Sequence, residues 1–558
     1  MSINNNFFKS HPVAITAIVM ALSLAPLMAM RDFTPANELR YLSIVDEALA
    51  EGHVFTFSNQ GEPYADKPPL YFWLMMLLKL VTGHHNMFAL SMLSFIPSLV
   101  IITVMDKWLV SASGGVSGVS FADRLASSMM LGTSALFLGM SVFLRMDLLM
   151  CMFIVLALHT FYRQYTGSGN PVTSAILLPV YIFLALFTKG PVGLLVPPAA
   201  ILVFLLAEGK IRDAGKYLGF KTWGIIALLC ALWFTGVWIE GGRPYLENLL
   251  FHQTVDRAVN AFHHKEPFWY YLVTVWYSVA PYSLMLVPAM AMSFFRRPFG
   301  TYSSFPYMAR SAMRLFSAVS VTTLVMLSAF SSKLAVYLLP VFPFLVYFFP
   351  LYMRDRKWGV FYSAAIVIPA LAFVAAGAGG AAVLASGRIP ELREYGFLHS
   401  PAVYAALAVL AAGGIVSAVY AVKDRSWQRP VVSLAASMLV CVLFASAVIP
   451  SADSYIGYGD MCRTAESMAS GLASQGGASQ CRYVTLYVYR PENMDAYLHT
   501  DVIDFGQDAD GYLDYSDGPH VLMVPTEKVM ENERLSRRLS GAECRQSGRY
   551  SLYLMPGR

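Results

Sequence analysis

Charge is what this sequence has least of. Only 13% of its 558 residues are Asp, Glu, Lys or Arg, against roughly 25% in an ordinary soluble domain. A shortfall that large excludes a chain whose surface is mostly wetted. The 40 basic and 35 acidic residues leave a net charge of +5, with no concentrated basic stripe, which argues against a nucleic-acid partner. Six cysteines are too few for a disulfide scaffold. Fixed-period repeats and low-complexity tracts are also missing.

Apolar residues are abundant, at 56% of the chain. The 29 Met, 36 Phe, 31 Tyr and 9 Trp suit helices packed in lipid with aromatic belts. Runs long enough to cross hydrocarbon as helices lie near 13–30, 86–105, 126–143, 147–164, 172–188, 191–208, 222–239, 270–294, 313–330, 334–352, 359–385, 401–422 and 430–450, about thirteen in all. The first run, preceded by Lys9 and His11, resembles a secretory signal. It is long for one, and many spans follow, so a retained helix is expected. The stretch 68–82 is apolar but short and opens on two prolines. It reads as an interfacial or re-entrant helix, or as the lead-in to the second span.

Alternate short loops hold Lys107 and Arg124; Arg163; Lys210, Arg212, Lys216 and Lys221; Arg296, Arg297, Arg310 and Arg314; Arg354, Arg356 and Lys357; and Lys423, Arg425 and Arg429. By the positive-inside rule that side, which also receives the N-terminus, is cytoplasmic. The expectation is an all-α polytopic membrane bundle over 1–450, with outer loops at 31–67 and 240–269. A small α/β domain over 451–558 follows outside. Strand-like runs at Tyr483–Tyr489, His520–Val524 and Tyr550–Leu554, with a polar helical run near 526–540, define that domain. Cys462, Cys481 and Cys544 lie in it, and an oxidising exterior would let one pair bridge. Cys151, Cys230 and Cys441 sit in spans as packing residues. Gly/Ala stretches such as Ala375–Ala382 suit close helix packing.

Scarce ionisable groups at membrane depth are costly and usually functional. Here they gather on the outer side. The first loop opens a surface helix with Asn37, Glu38, Arg40 and Tyr41, and ends on Asp66-Lys67-Pro68-Pro69, followed by Tyr71. Arg145 and Asp147 separate the third and fourth spans, and Lys189-Gly190-Pro191 the fifth and sixth. His263, His264, Lys265 and Glu266 precede another span. Ser332 and Lys333 precede Tyr337 and Pro340. Singly, each reads equally well as a snorkelling anchor or a surface ion pair. Together, lysines and arginines with a few carboxylates at one interface suit an anionic lipid headgroup, bound through charge-assisted hydrogen bonds. Zn²⁺ takes His and carboxylate ligands, so a divalent metal on His263, His264 and Asp66 stays open, although the spacing is no known metal motif. Beyond that metal, the sequence points to no cofactor.

The ordered set Asn37-Glu38-Leu39-Arg40-Tyr41, Tyr64-Ala65-Asp66-Lys67-Pro68-Pro69-Leu70-Tyr71, Arg145-Met146-Asp147, Thr188-Lys189-Gly190-Pro191 and Ser332-Lys333 with Tyr337 and Pro340 resembles the GT-C superfamily of polyprenyl-phosphate-sugar-dependent membrane glycosyltransferases. The closest group is that of the lipid A aminoarabinose and protein O-mannosyl transferases. The resemblance covers about the first 350 residues. It implies an inverting glycosyltransferase in the bacterial inner membrane, working as a monomer on the periplasmic face. The implied donor is an undecaprenyl-phosphate-linked sugar such as 4-amino-4-deoxy-L-arabinose. The implied acceptor is lipid A phosphate or another envelope acceptor. The family favours an Asp as catalytic carboxylate where this chain has Asn37. Glu38, Asp66 and Asp147 are then the acidic candidates. Arg40, Tyr41, Lys67, Tyr71, Arg145, Lys189, His264, Lys333 and Tyr337 become donor-phosphate or substrate contacts. The competing expectations are a protein or glycan transferase of the same fold, a lipid-linked-sugar flippase, which would carry charges at the bilayer midplane, and a scaffold protein.

Overall fold

The computed structural model describes residues 11–250, 265–296, 306–354, 356, 358–424, 426–474 and 481–556. His263, His264, Lys9, Arg297, Lys357 and Arg425 lie outside the described residues. The chain divides into two compact units.

The first unit takes in residues up to Met28, Ala65–Leu74 and Phe88–Ser446. The main helices that lie wholly or partly in it are α1 (Pro12–Met30), α2 (Leu70–Thr82, in this unit only to Leu74), α3 (Met87–Ala112), α4 (Phe121–Gly132), α5 (Ala135–Met140), α6 (Asp147–Thr166), α7 (Pro171–Lys189), α8 (Pro191–Ala207), α9 (Phe220–Glu247), α10 (Tyr270–Ser278), α11 (Ser283–Arg296), α12 (Tyr307–Ala329), α13 (Phe342–Met353, entered through a 3₁₀ stretch Ala335–Val341), α14 (Val360–Val374, continued to Ser386), α15 (Pro401–Lys423) and α16 (Gln428–Ser446). Among the described residues ten helices are long and apolar enough to cross a membrane, and Leu70–Thr82, Pro191–Ala207 and Ser283–Ser293 are shorter apolar helices. The polytopic all-α fold expected from the sequence is therefore present.

Two of the expected spans are broken. Residues 126–143 divide between α4 and α5, and 270–294 between α10 and α11. A broken helix in lipid needs partners for its freed backbone groups. Here the two breaks serve each other: Ala135 N donates to Ala280 O at 2.8 Å, and the Thr133 and Tyr282 hydroxyls lie 2.7 Å apart. Close packing marks the Ala/Gly-rich continuation of α14. A Cβ on Gly377 would sit 2.3 Å from Leu407 O of α15, so only glycine permits that approach. The bundle core centres on Trp108, whose ring meets His159, Tyr162, Phe316 and Phe344 at centroid distances of 5.0–6.0 Å. One buried pair in this unit has no counterpart in the sequence reading: Arg124 forks onto Asp106 with bonds of 2.9 and 2.6 Å.

The second unit contains Ala29–Tyr64, Met75–Met87 and Ala447–Arg558. Its five-stranded sheet has the order β4-β3-β5-β7-β6, from Val502–Asp504, Arg482–Thr485, His520–Pro525, Tyr550–Met555 and Glu543–Ser547; β1 and β2 form a small hairpin at Ser58–Asn59 and Glu62–Pro63. Strands β4, β3 and β5 are parallel, and β7 and β6 are antiparallel additions. Val484, Leu486, Leu522 and Val524 alternate into a core closed by Tyr512, Leu535 and Leu539. All six cysteines are free thiols, so no pair among Cys462, Cys481 and Cys544 bridges. The topology explains part of this. Cys481 precedes β3 while Cys544 lies on β6, three strand spacings or about 14 Å away, beyond disulfide reach.

The segment 31–64 folds into this second unit. A helical turn at Pro35–Leu39 leads into a helix over Arg40–Glu51. Ser43 Oγ and Gln60 Nε2 donate to Asp495 Oδ2 at 2.8 and 3.0 Å. Asp32 accepts from Gly459 N at 2.7 Å and from the Tyr497 hydroxyl. Gly457 and Gly459 make room for that carboxylate, since a Cβ on Gly457 would lie 2.1 Å from it.

Candidate active site

Helix lengths bring the first pair of site residues together. α6 has 20 residues and α7 has 19, and a short turn, Gly167–Asn170, joins them. Gly167 is left-handed at φ 74°, and the Asn170 side chain caps α7 by accepting from Val172 N and Thr173 N at 3.0 and 3.1 Å. Two antiparallel helices of equal length put the start of one beside the end of the other. Asp147 opens α6 and Lys189 closes α7. Each has the charge its helix end favours, acidic at the N-terminus and basic at the C-terminus.

Asp147 is 1% exposed. One of its carboxylate oxygens accepts from the Lys189 ammonium, and the other from Arg145 Nε at 3.2 Å. Lys189 also lies over the Tyr337 ring, 4.7 Å from its centre, a cation–π contact that strengthens as water is excluded. Ser94 Oγ donates to Phe143 O at 2.7 Å and to Arg145 O at 3.0 Å, fixing the backbone that delivers Arg145 and Asp147. Beyond Lys189 the chain turns on Gly190 at φ 104°, a conformation side chains with a Cβ avoid, before Pro191 starts α8. The cluster carries two cations against one carboxylate.

Lys333 is buried, and its ammonium is held by the carbonyls of Glu266 at 2.9 Å and Phe330 at 2.5 Å rather than by Asp147. Lys265 and Ser332 pair as an antiparallel bridge beside it. Tyr71 is fully buried on α2, and Asp66 and Lys67 are half-buried just before that helix. Trp73, two residues beyond Tyr71, packs edge-on against Phe187 at 5.1 Å, so α2 docks on the last turn of α7, next to Lys189.

Asn37, Glu38, Arg40 and Tyr41 belong to the second unit. Glu38 is saturated. Arg31 donates to both its oxygens at 2.7 Å, and Thr34 adds its N–H at 2.8 Å and its hydroxyl at 3.0 Å. Sequence reasoning passed over Arg31, because an arginine at the end of an apolar run looks like an ordinary anchor. Arg40 donates to Asn37 Oδ1 at 3.2 Å, lies 5.6 Å from the Tyr64 ring centre, and keeps a buried Nε without a partner. Tyr41 is buried. Farther along the same helix, Asp46 accepts from Lys79 and lies 2.5 Å from His85 Nε2. Burial pushes its carboxyl up, but His85 and Lys79 outweigh this and hold it below the usual range. His263 and His264 fall outside the described residues, and among the described residues no three His, Cys, Asp or Glu side chains gather closely enough to hold a metal ion.

This fold, with a buried cation–carboxylate cluster where its helices meet, is shared with a solved membrane protein. ArnT from Cupriavidus metallidurans, in its structure bound to undecaprenyl phosphate, superposes with a TM-score of 0.71 over 99% of this chain and 98% of its own, at 16% identity. An undecaprenyl phosphate-alpha-4-amino-4-deoxy-L-arabinose arabinosyl transferase of Enterobacter sp. (strain 638) is 25% identical over 333 residues, 58% of this chain and 55% of that protein. An uncharacterised protein of Aquifex aeolicus (strain VF5) is 25% identical over 312 residues, 55% and 57% of the two chains. No family model matches. The chain spans about half the length of the curated relatives it matches.

Proposed function

We propose that this protein is a membrane glycosyltransferase that moves a sugar from an undecaprenyl-phosphate carrier to an envelope acceptor. The proposed site faces the periplasm, with the N-terminus in the cytoplasm. One observation carries the reading. Lys189 and Arg145 are aimed by two helix ends and a single buried carboxylate, in a fold shared with a protein crystallised with undecaprenyl phosphate.

The bond to be broken joins an anomeric carbon to a phosphate oxygen. The leaving group is a weakly basic phosphate, so cations serve it better than a proton donor. Lys189 and Arg145 supply them. Asp147 neutralises one of the two charges while the donor is absent, which spares the fold an unpaired buried cation. Both its oxygens are committed, so its role is to position those cations. Lys333 keeps one of its three N–H donors beyond the two carbonyls and is a further phosphate contact, with Lys67. Glu38 braces the turn that presents Asn37 and Arg40.

An acceptor phosphate is already ionised near neutral pH and needs placement more than a base. Asn37 in place of a carboxylate is consistent with that, and Asp66 is the acidic group nearest in sequence to the Lys67 contact. The acceptor oxygen attacks the anomeric carbon from the face opposite the carrier. Its new bond forms as the carbon–oxygen bond to undecaprenyl phosphate breaks, the electron pair leaves with the phosphate, and the configuration inverts.

The acceptor is identified by supplying the purified protein with labelled undecaprenyl-phosphate aminoarabinose and, separately, lipid A, a hydroxyl-bearing peptide and a glycan. Label moving to lipid A with release of undecaprenyl phosphate is the expected result. Transfer to the peptide or glycan would reassign the acceptor, and no transfer to any of them would overturn the reading.

A further inference from the structure

The C-terminal sheet has a feature that the transferase reading leaves unused. From β3 the chain passes to β4 on one side and then crosses back to β5 on the other. The segments leaving the carboxyl ends of β3 and β5 therefore part in opposite directions. In open α/β sheets this reversal leaves a crevice, and ligands bind there. Here the crevice measures about 370 Å³. Tyr487 lines it from the segment after β3; Lys528, Glu531, Asn532, Glu533 and Arg534 line it from the two short helices after β5, Thr526–Glu531 and Glu533–Leu539.

Two observations point to a ligand and to its chemistry. The first is the backbone at Tyr487. It is left-handed at φ 60°, a conformation that costs a non-glycine residue about 1 kcal/mol, and its N–H is tied to Gly506 O at 2.6 Å. Arg490 is also left-handed, at φ 49°. Such conformations persist where surrounding structure imposes them, and they concentrate at ligand-binding sites. The second is charge. The lining holds two cations, Lys528 and Arg534, and two carboxylates, Glu531 and Glu533. Lys528 pairs with Glu531 at 2.7 Å, Arg534 with Asp510 at 2.9 Å, and Glu533 with Arg537 at 3.1 Å. Each cation lining the crevice already has a carboxylate partner, and the Glu531 and Glu533 carboxylates beside them oppose a phosphate by like charge. The crevice thus offers one face of an aromatic ring, which also packs against the sheet's core, beside paired donors and acceptors, with polar and apolar surface in similar measure. That combination suits a neutral ring with an apolar C–H face and hydroxyls that both donate and accept.

We propose that this crevice is a saccharide-binding site. It takes a neutral glycan, not a phosphate, and uses residues other than those of the Asp147–Lys189 cluster.

The test is saturation-transfer NMR on the full chain, held in a detergent without a sugar headgroup. The probes are maltotriose, mannotriose and chitotriose, with inorganic phosphate as a separate probe. Glycine takes the backbone of Tyr487 without strain, so Tyr487→Gly removes the ring and keeps the turn. At least one trisaccharide is expected to receive saturation from the wild-type protein and to bind about tenfold more weakly to the Tyr487→Gly variant, the loss of one good contact. Lys189→Ala, which stops transfer in the proposal above, is expected to leave the saccharide signal unchanged. The absence of signal from every trisaccharide, a signal that survives Tyr487→Gly, or a phosphate resonance that shifts on binding and recovers in Lys528→Gln would each overturn the proposal.

Discussion

Two buried acids in this protein are better understood as braces than as bases. Asp147 binds two cations with its two oxygens, and Glu38 receives four bonds from Arg31 and Thr34. Removing one partner of a buried pair strands the other charge, at roughly 3–5 kcal/mol. Asp147→Asn is therefore expected to lower stability by about 3 kcal/mol, read from an unfolding titration in mixed micelles. The Asp147→Asn, Lys189→Met double variant should recover much of that stability and remain inactive. Recovered activity in the double variant would show that Lys189 does not hold the donor phosphate. Glu38→Gln should be similarly destabilising. Arg31→Met with Glu38→Leu, which removes both charges together, should restore folding and retain measurable transfer. If stability returns without any activity, Glu38 acts in the chemistry and is more than a brace.

At the scale of elements, the site depends on a hairpin and a corner. α6 and α7 were legible in the sequence, because both apolar runs and the polar residues at their ends stand out. Counting spans was enough to place Asp147 and Lys189 on the same side. The breaks inside 126–143 and 270–294 were not legible. Their backbone groups are satisfied by each other across well over a hundred residues, and a hydropathy window sees only neighbours in sequence. The Asp106–Arg124 fork was missed for the same reason, since a lone carboxylate at a span end gives no sign of its partner. Gly190 carries the corner after Lys189 at φ 104°. Gly190→Ala should cost about 1–2 kcal/mol of stability, read as a lowered Tm, with a larger loss in kcat than in KM as Lys189 shifts. An unchanged Tm would mean that the corner tolerates a Cβ.

The helix of the first loop is anchored by Asp46 to Lys79 and His85. The Asp46 carboxyl is held below its ordinary value of 3.8 in the fold, so the unfolded chain binds that proton more readily. The resulting stabilisation is complete above about pH 3.8 and is lost as pH falls through the folded value. The pair is partly exposed, so its worth is under about 1 kcal/mol. Asp46→Asn should flatten the acid limb of a stability–pH profile and leave its neutral part nearly level. A steeper acid limb would contradict the assignment.

For the whole molecule, the low charge of 13% over 558 residues, together with the many long apolar runs, was enough to read a polytopic helical bundle. The tail's strand-like runs at β3, β5 and β7 were also visible. β4 and β6 were not, since they are short or polar edge strands that owe their place to their neighbours. The inclusion of the first loop in the same compact unit as the tail rests on Asp32, Ser43 and Gln60, polar residues with no periodic signal. The central claim is that the buried cation cluster serves sugar transfer from a lipid phosphate. Its most direct measurement is transfer of labelled sugar from undecaprenyl-phosphate aminoarabinose by the purified protein beside its Lys189→Ala variant. The account predicts transfer by the wild type with stoichiometric release of undecaprenyl phosphate, and a rate at least about a hundredfold lower in the variant. Equal rates in the two proteins, or no transfer by the wild type to any acceptor, would contradict it.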